Sequence, residues 1–191
     1  MTIEELSARL EVLERQNQEL ADKQAIRDCV TAYARGLDRL DKDLIRDAFH
    51  PDALDDHGVF VGGPAELAEW AVELHREEAR SSLHYTGTHS CEIDGDTAHA
   101  ETYWLGTLRD KSGAFNLAGG RWLDRLEKRG GEWRIAVRVC IPEFAGKPPM
   151  GDAPDVSDEL RAASALPQRD RTDPSYVRPL AIDPARVGLG A

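Results

Sequence analysis

The fold is decided by the stretch SSLHYTGTHSCEIDGDTAHAETYWLGTL, residues 81–108. From Ser81 onward, polar and apolar residues tend to alternate with a period of two, which is typical of β-strands. Turn-forming pairs at 94–95, 112–113 and 130–131 divide this region into segments. The sequence therefore predicts strands near residues 82–92, 97–108, 114–127 and 132–141, with a short edge strand at 59–61.

Helices are predicted before this sheet. One apolar helical stripe contains Ile26, Cys29, Val30, Tyr33, Ala34 and Leu37. Asp41 is expected to cap a short helix that ends at Phe49, and Pro64 to begin another that runs to about Arg80. Helices followed by an antiparallel meander indicate an α+β fold, with the helices on one face of the sheet.

The two ends of the chain differ from the middle. Thr2 and Glu5 form a capping-box pattern, and leucines at 6, 10, 13 and 20 follow heptad spacing. This helix either forms a short coiled coil between subunits or packs on its own domain.

Seven of the ten prolines follow Lys147. We expect an N-terminal helical extension (1–20), a central domain (21–146) and a proline-rich arm (147–191), which is disordered or lies across the domain or a neighbour.

Net charge, apolar runs and cysteine pattern limit the binding partners and the location that the sequence allows. The formal charge of −11 over 191 residues argues against binding a nucleic-acid backbone or an anionic membrane. No apolar run approaches the ~18–20 residues that span a bilayer. Cys29, Cys91 and Cys140 form no CxxC pattern, which favours a reducing, cytoplasmic location.

Several short motifs occur together in a fixed order. They are YARGLD (33–38), FHPDA (49–53), HYTGT (84–88), DGDTA (94–98), GRWLDR (120–125) and GEWRI (131–135). Across roughly residues 20–145 the chain resembles the SnoaL-like branch of the NTF2-like superfamily. The resemblance implies a cone in which N-terminal helices pack on a curved, mostly antiparallel sheet that encloses a cavity.

Within that superfamily the chain resembles cofactor-free dehydratases and related lyases, among them scytalone dehydratase, hexachlorocyclohexane dehydrochlorinase and bile acid 7α-dehydratase. This resemblance implies an Asp–His pair inside the cavity, at Asp38 and His84, and no cofactor. An imidazole, with an ordinary pKa of about 6.5, is a competent base at neutral pH. A carboxylate on its other nitrogen fixes the tautomer and stabilises the imidazolium. Tyr33 is expected to donate its hydroxyl to a substrate oxygen, or else to be a half-buried core tyrosine.

Other residues are predicted to line the cavity. Strand alternation places Arg134, Ala136, Arg138 and Cys140 on one face and Trp133, Ile135, Val137 and Val139 on the other. The resemblance directs Arg138 into the cavity, where it would hold an anionic leaving group or an oxyanion; a surface arginine is the alternative. Tyr103, Leu105 and Trp122 are predicted walls for a flat apolar substrate, and His57 is placed at the rim.

A metal site is not predicted. The cluster Asp52, Asp55, Asp56 and His57 lacks the fixed spacing and the second ligand set of a metal centre. The sequence also has no P-loop, dinucleotide fingerprint or nucleophile elbow.

The leading functional hypothesis is a cofactor-independent lyase of the dehydratase or elimination type, acting on a small aromatic or cyclic apolar substrate. An isomerase, a cyclase or a retro-aldol C–C lyase would use the same cavity and base. A third hypothesis is a small-molecule-binding protein without turnover. A homo-oligomer is expected, with a trimer favoured by the resemblance and a dimer left open.

Overall fold

The predicted glycine turns are present in the computed structural model, which describes residues 1–148 and 168–179. Gly95, Gly113 and Gly130 have positive φ angles, which glycine adopts without strain. The elements in chain order are α1 (Ile3–Arg39), α2 (Lys42–Asp47), β1 (Phe49–Asp56), β2 (Val61–Gly62), α3 (Pro64–Glu78), β3 (Ala79–Asp94), β4 (Thr97–Asp110), β5 (Phe115–Arg129), β6 (Glu132–Gly146) and a 3₁₀ helix (Pro174–Tyr176).

One long helix covers both the predicted N-terminal extension and the first helix of the domain. The Thr2 hydroxyl accepts a hydrogen bond from the backbone N–H of Glu5, and the Glu5 carboxylate accepts one from Thr2, so the capping box is confirmed. Helix α1 buries side chains only from Ile26 onward. Its N-terminal leucines at positions 6, 10, 13 and 20 are 48–67% exposed, so the first turns are not packed into the core.

The six-stranded sheet has the order β2-β1-β6-β5-β4-β3 and is mostly antiparallel. The α+β class is confirmed, and the four long strands extend the predicted ranges. Strand β1 was not predicted. It pairs in parallel with β6 at Phe49 and again from Leu54, with an irregularity between them that contains Pro51, which has no N–H to donate.

A β-bulge in β6 breaks the predicted alternation of that strand. Arg125 lies opposite Val137 while Leu126 lies opposite Ile135, so Ala136 is the extra residue. The prediction that Trp133 and Ile135 share a face with Val137 and Val139 is therefore wrong. Beyond the bulge it is Arg138 that faces the core together with Trp133 and Ile135.

Helices α1 and α3 cover the concave face of the sheet. Strand β4 turns small side chains towards them, with Ala98 and Ala100 buried in the same cluster as Ile26 and Val30. This leaves room between the helices and the sheet for a cavity. Within residues 1–148 and 168–179, no helix is both long and apolar enough to cross a membrane.

Candidate active site

A cavity of about 140 Å³ lies between the helices and the concave face of the sheet. Its apolar walls come from α1, α3, β4 and β5: Leu37, Trp70, Ala71, Leu74, Trp104 and Trp122. Its polar lining is formed by Tyr33, His57, His75, His84 and Cys140. Two of the lining residues, Trp104 and Trp122, stack on each other with ring centroids 5.9 Å apart.

Asp38 and His84 are in direct contact beside this cavity. The His84 Nδ1–H donates to Asp38 Oδ1 at 2.7 Å, and the backbone N–H of His84 donates to Asp38 Oδ2 at 3.0 Å. Two hydrogen bonds to one carboxylate fix both the orientation of the ring and its tautomer. Nε2 is thus the nitrogen that faces a molecule in the cavity. The structure brings the pair together, and its catalytic role remains a prediction.

A second histidine, His75 of α3, lies next to His84. The two rings are 5.3 Å apart, and the His75 Nδ1–H donates to the carbonyl oxygen of Ala71 at 2.7 Å. Burial and the neighbouring His84 lower the pKa of His75 from 6.5 to about 4. His75 is therefore neutral at pH 7. Its Nδ1–H is bonded to Ala71, and it takes no part in the hydrogen bond between Asp38 and His84.

We expect His75 to destabilise the protein in mild acid. Its pKa is lower in the folded than in the unfolded chain, so its contribution to stability is present above pH 6.5 and is lost as the pH falls towards 4. One such proton changes the free energy of unfolding by up to about 1.4 kcal/mol per pH unit. Urea unfolding between these pH values should show a shallower loss for His75→Gln than for the wild type. Exposed His99→Gln is the control, and parallel curves for wild type and His75→Gln would contradict the prediction.

A second Asp–His pair lies in the same cavity and was not predicted as a pair. Asp55, at the end of β1, is 1% exposed and accepts a short hydrogen bond from the His57 Nδ1–H. Burial lowers the pKa of His57, but hydrogen bonds and charge from Asp55 and Cys140 outweigh it and raise the pKa to about 9. The Tyr33 hydroxyl lies 3.4 Å from His57 Nε2. His57 therefore belongs to the cavity lining rather than only to its rim.

The structure places Tyr33 and Trp122 in the cavity lining, but not Tyr103 or Leu105. Tyr103 and Leu105 are 48% and 39% exposed on the outer face of β4. The inner face of that strand carries Ala98, Ala100, Thr102 and Trp104 instead. The two sets alternate along β4, so the prediction assigned the wrong one of them to the inside.

Arg138 points inward but lies beneath the cavity rather than on its surface. Its Nε and Nη2 donate to the two carboxylate oxygens of Asp124, each at 2.7 Å, and both side chains are fully buried. Its guanidinium carbon lies 4.3 Å from the Tyr33 ring centroid and 4.6 Å from that of Trp122. The predicted contact of Arg138 with substrate is thus corrected: the side chain is engaged in a buried ion pair that supports two cavity walls.

A segment of the predicted C-terminal arm packs behind the Asp38–His84 pair. Arg169 donates hydrogen bonds to the carbonyl oxygens of His75, Ala79 and Asp38 and to the Ser82 hydroxyl, over 2.9–3.4 Å. The segment 168–179 therefore contacts its own domain. The rest of the arm, 149–167 and 180–191, lies outside the described residues.

The acidic cluster considered for metal binding is dispersed. Asp52 pairs with Arg129, and Asp56 accepts a hydrogen bond from the backbone N–H of Gly58. In the part of the chain that the structure describes, no three His, Cys, Asp or Glu side chains converge as metal ligands would.

Sequence reasoning missed several of the residues around the cavity. Three of them line the cavity: Trp70, His75 and Trp104. The fourth is Asp124, which pairs with Arg138. All four come together through contacts between distant parts of the chain. The only local signal was the Asp-x-His spacing of Asp55 and His57, which places both side chains on one side of an extended chain.

Comparisons with known proteins agree with this fold. A hexachlorocyclohexane dehydrochlorinase (LinA, type 2) superposes with a TM-score of 0.67 at 16% identity, covering 75% of this chain and 98% of that one. A candidate scytalone dehydratase from Novosphingobium aromaticivorans gives 0.63 at 16% identity, covering 69% and 91%. Rv3472, a Mycobacterium tuberculosis protein of unknown function, gives 0.61 at 25% identity, covering 77% and 86%.

Identities this low establish the fold but not the activity. No curated protein sequence matches the chain. The sequence profile of the SnoaL-like domain matches residues 18–139, which is well over half of the chain. The chain therefore belongs to the SnoaL-like domain family.

Proposed function

We propose that the protein is a cofactor-independent lyase that removes a carbon-bound proton from a small cyclic substrate. The observation that carries this proposal is the Asp38–His84 pair, in which Asp38 engages Nδ1 and the ring lines the cavity. An imidazole held by a carboxylate beside a cavity is the arrangement used for general base catalysis. A protein that only binds an apolar molecule has no use for a histidine held in one tautomer.

The cavity favours a substrate with a single ring. A cavity of about 150 Å³ accommodates benzene, and this one measures about 140 Å³. The stacked indoles of Trp104 and Trp122 suit the face of a flat ring. The buried Trp104 Nε1–H makes no hydrogen bond to any other described residue, so it is available to a substrate carbonyl oxygen.

The arrangement of His84, Asp38 and Trp104 suits a reaction on a cyclic ketone. His84 Nε2 takes the proton from the carbon next to the carbonyl group, and Asp38 stabilises the imidazolium that forms. Hydrogen bonding from Trp104 stabilises the enolate oxygen. Departure of a group from the next ring carbon completes an elimination. Return of the proton at another carbon gives an isomerase, which is the second candidate because it shares the first step.

The first step can be tested without knowing the natural leaving group. Cyclohexanone in D₂O exchanges its α-protons for deuterium when a base removes them, and ¹H NMR follows the loss of signal. The wild type should accelerate this exchange well above buffer of the same composition, and the acceleration should persist in the presence of EDTA. Binding of cyclohexanone without accelerated exchange would support the non-catalytic alternative instead.

A homo-oligomer and a cytoplasmic location are part of the same proposal. The outer face of the sheet exposes large apolar side chains, among them Leu83, Tyr85, Tyr103, Leu105, Val139 and Phe144. Exposed apolar surface of this kind supports burial between subunits. Three free cysteines support a reducing compartment.

A further inference from the structure

The pair Asp55–His57 plays no part in proton removal by His84, yet it lines the same cavity. The two pairs come from opposite parts of the sheet: His84 lies on the edge strand β3, and Asp55 lies on β1, near the other edge. Tyr33 of α1 lines the cavity beside His57, and its hydroxyl lies 3.4 Å from His57 Nε2. The substrate cavity therefore meets two imidazoles, each held by its own carboxylate.

The charge balance around Asp55 assigns a proton to His57. Asp55 is almost completely buried, and a buried carboxylate requires a cationic or hydrogen-bonding partner. Arg138 is the other buried cation nearby, but Asp124 engages it through two hydrogen bonds. The His57 Nδ1–H is the group that bonds to Asp55. With His57 protonated, the four buried groups contain two negative and two positive charges.

The groups that face His57 agree with this assignment. Asp55 from β1 and Cys140 from β6 raise the pKa of His57 to about 9, against the effect of burial. Tyr33 from α1 remains a neutral hydroxyl, because burial raises its pKa above the usual range despite the charge of Arg138 from β6. Trp70 from α3 packs against the His57 ring and has no charge. His57 is thus a cation at pH 7.

We propose that Asp55, His57 and Tyr33 form a second proton-transfer site, which protonates the leaving group while His84 removes the carbon-bound proton. This inference rests on the proposed lyase function and extends it. It makes His57 the acid and His84 the base of one elimination. A histidine that a buried carboxylate holds as a cation is suited to the acid's role, and the base is the histidine of the proposed function.

The step balances as follows. The proton on the α-carbon moves to His84 Nε2, and the electrons of that C–H bond form the new C=C bond. The C–O bond at the β-carbon breaks, and its electron pair stays on the oxygen. That oxygen takes a proton from His57 Nε2, either directly or through the Tyr33 hydroxyl, which gives one proton and receives another. Water and an unsaturated ketone leave, and the proton on His84 returns to His57 through solvent.

This chemistry selects the leaving group. Hydroxide is a poor leaving group and must be protonated as it departs, whereas chloride leaves as the free anion. A cationic acid that is held in a buried ion pair is therefore needed for an alcohol and not for a halide. The second site therefore serves a substrate whose leaving group is an alcohol rather than a halide.

The test compares two probes that give the same product. Both 3-hydroxycyclohexanone and 3-chlorocyclohexanone eliminate to cyclohex-2-enone, which is followed by its ultraviolet absorbance above the uncatalysed rate. His57→Gln should lower kcat/KM about 10²- to 10⁴-fold for the hydroxyketone, and only slightly for the chloroketone. Wild-type turnover of the hydroxyketone should also fall as the pH rises through about 9, where His57 loses its proton.

The controls separate an acid from a structural residue. Asp55→Asn combined with His57→Gln leaves no unpaired buried charge and should reproduce the selective loss if the single variant folds poorly. Exposed His99→Gln should match the wild type on both probes. Equal losses on the two probes, or no loss on the hydroxyketone while His84→Ala is inactive, would overturn this inference alone. Turnover of neither probe by the wild type would overturn the proposed function and this inference together.

Discussion

His84→Ala is expected to lower kcat/KM for elimination or α-proton exchange by about 10²- to 10⁴-fold, because it removes the only imidazole held by Asp38. The fold should survive, since the His84 side chain borders a cavity and is not packed on all sides. The measurement is steady-state kinetics on a cyclic ketone, together with thermal unfolding followed by circular dichroism.

Asp38→Asn should cause a loss of similar size for a different reason. The new amide can still accept the backbone N–H of His84 through its oxygen, which turns its NH₂ group towards His84 Nδ1. Nδ1 must then accept, and the ring proton moves to Nε2, which can no longer take a proton from the substrate. Full activity of either variant, at unchanged thermal stability, would exclude the pair from the mechanism.

Most of the fold could be predicted from the sequence, because the patterns that indicate its strands and turns are local. The period-two alternation and the glycine turns at 94–95, 112–113 and 130–131 act over a few residues each, and the strands follow them. Strand β1 has no such signal. It contains Pro51 and three aspartates, which disfavour strands, and it forms because the distant strand β6 offers a parallel edge.

The orientation of side chains was harder to predict than the strands. A single extra residue at Ala136 reverses the alternation of β6, and nothing in the local sequence marks it. Tyr103 and Leu105 were placed inside by strand alternation. The structure turns them outward, and the inner face of β4 carries Ala98, Ala100, Thr102 and Trp104 instead.

Some residues of the candidate site could likewise be predicted from the sequence, and others could not. Asp38 and His84 were identified through motifs that resemble a known family, and the structure places them in contact. Asp55 and His57 were noticed as a cluster, but their pairing depends on where β1 enters the sheet. Arg169 contacts the site from far along the chain, so no local pattern pointed to it. Local sequence patterns therefore did not predict the contacts between distant segments of the chain.

The buried ion pair of Arg138 and Asp124 is expected to produce the largest loss of stability when it is broken. Both side chains are fully buried and are joined by two 2.7 Å hydrogen bonds between β5 and β6. Arg138→Met leaves a buried carboxylate without its cation, and Asp124→Leu leaves a buried guanidinium without its anion. Each single change should lower the free energy of unfolding by about 3–5 kcal/mol, as measured by urea denaturation.

The double variant, Asp124→Leu with Arg138→Met, tests the cause. It replaces both charges with apolar groups, so it should be clearly more stable than either single variant, because neither charge is left unpaired. Glu143→Ala is the matched control, because Glu143 pairs with Arg121 across the same two strands on the exposed face. That pair is screened by solvent, and its loss should change stability far less. Losses that simply add in the double variant would show that packing around Tyr33 and Trp122, rather than unpaired charge, sets the cost.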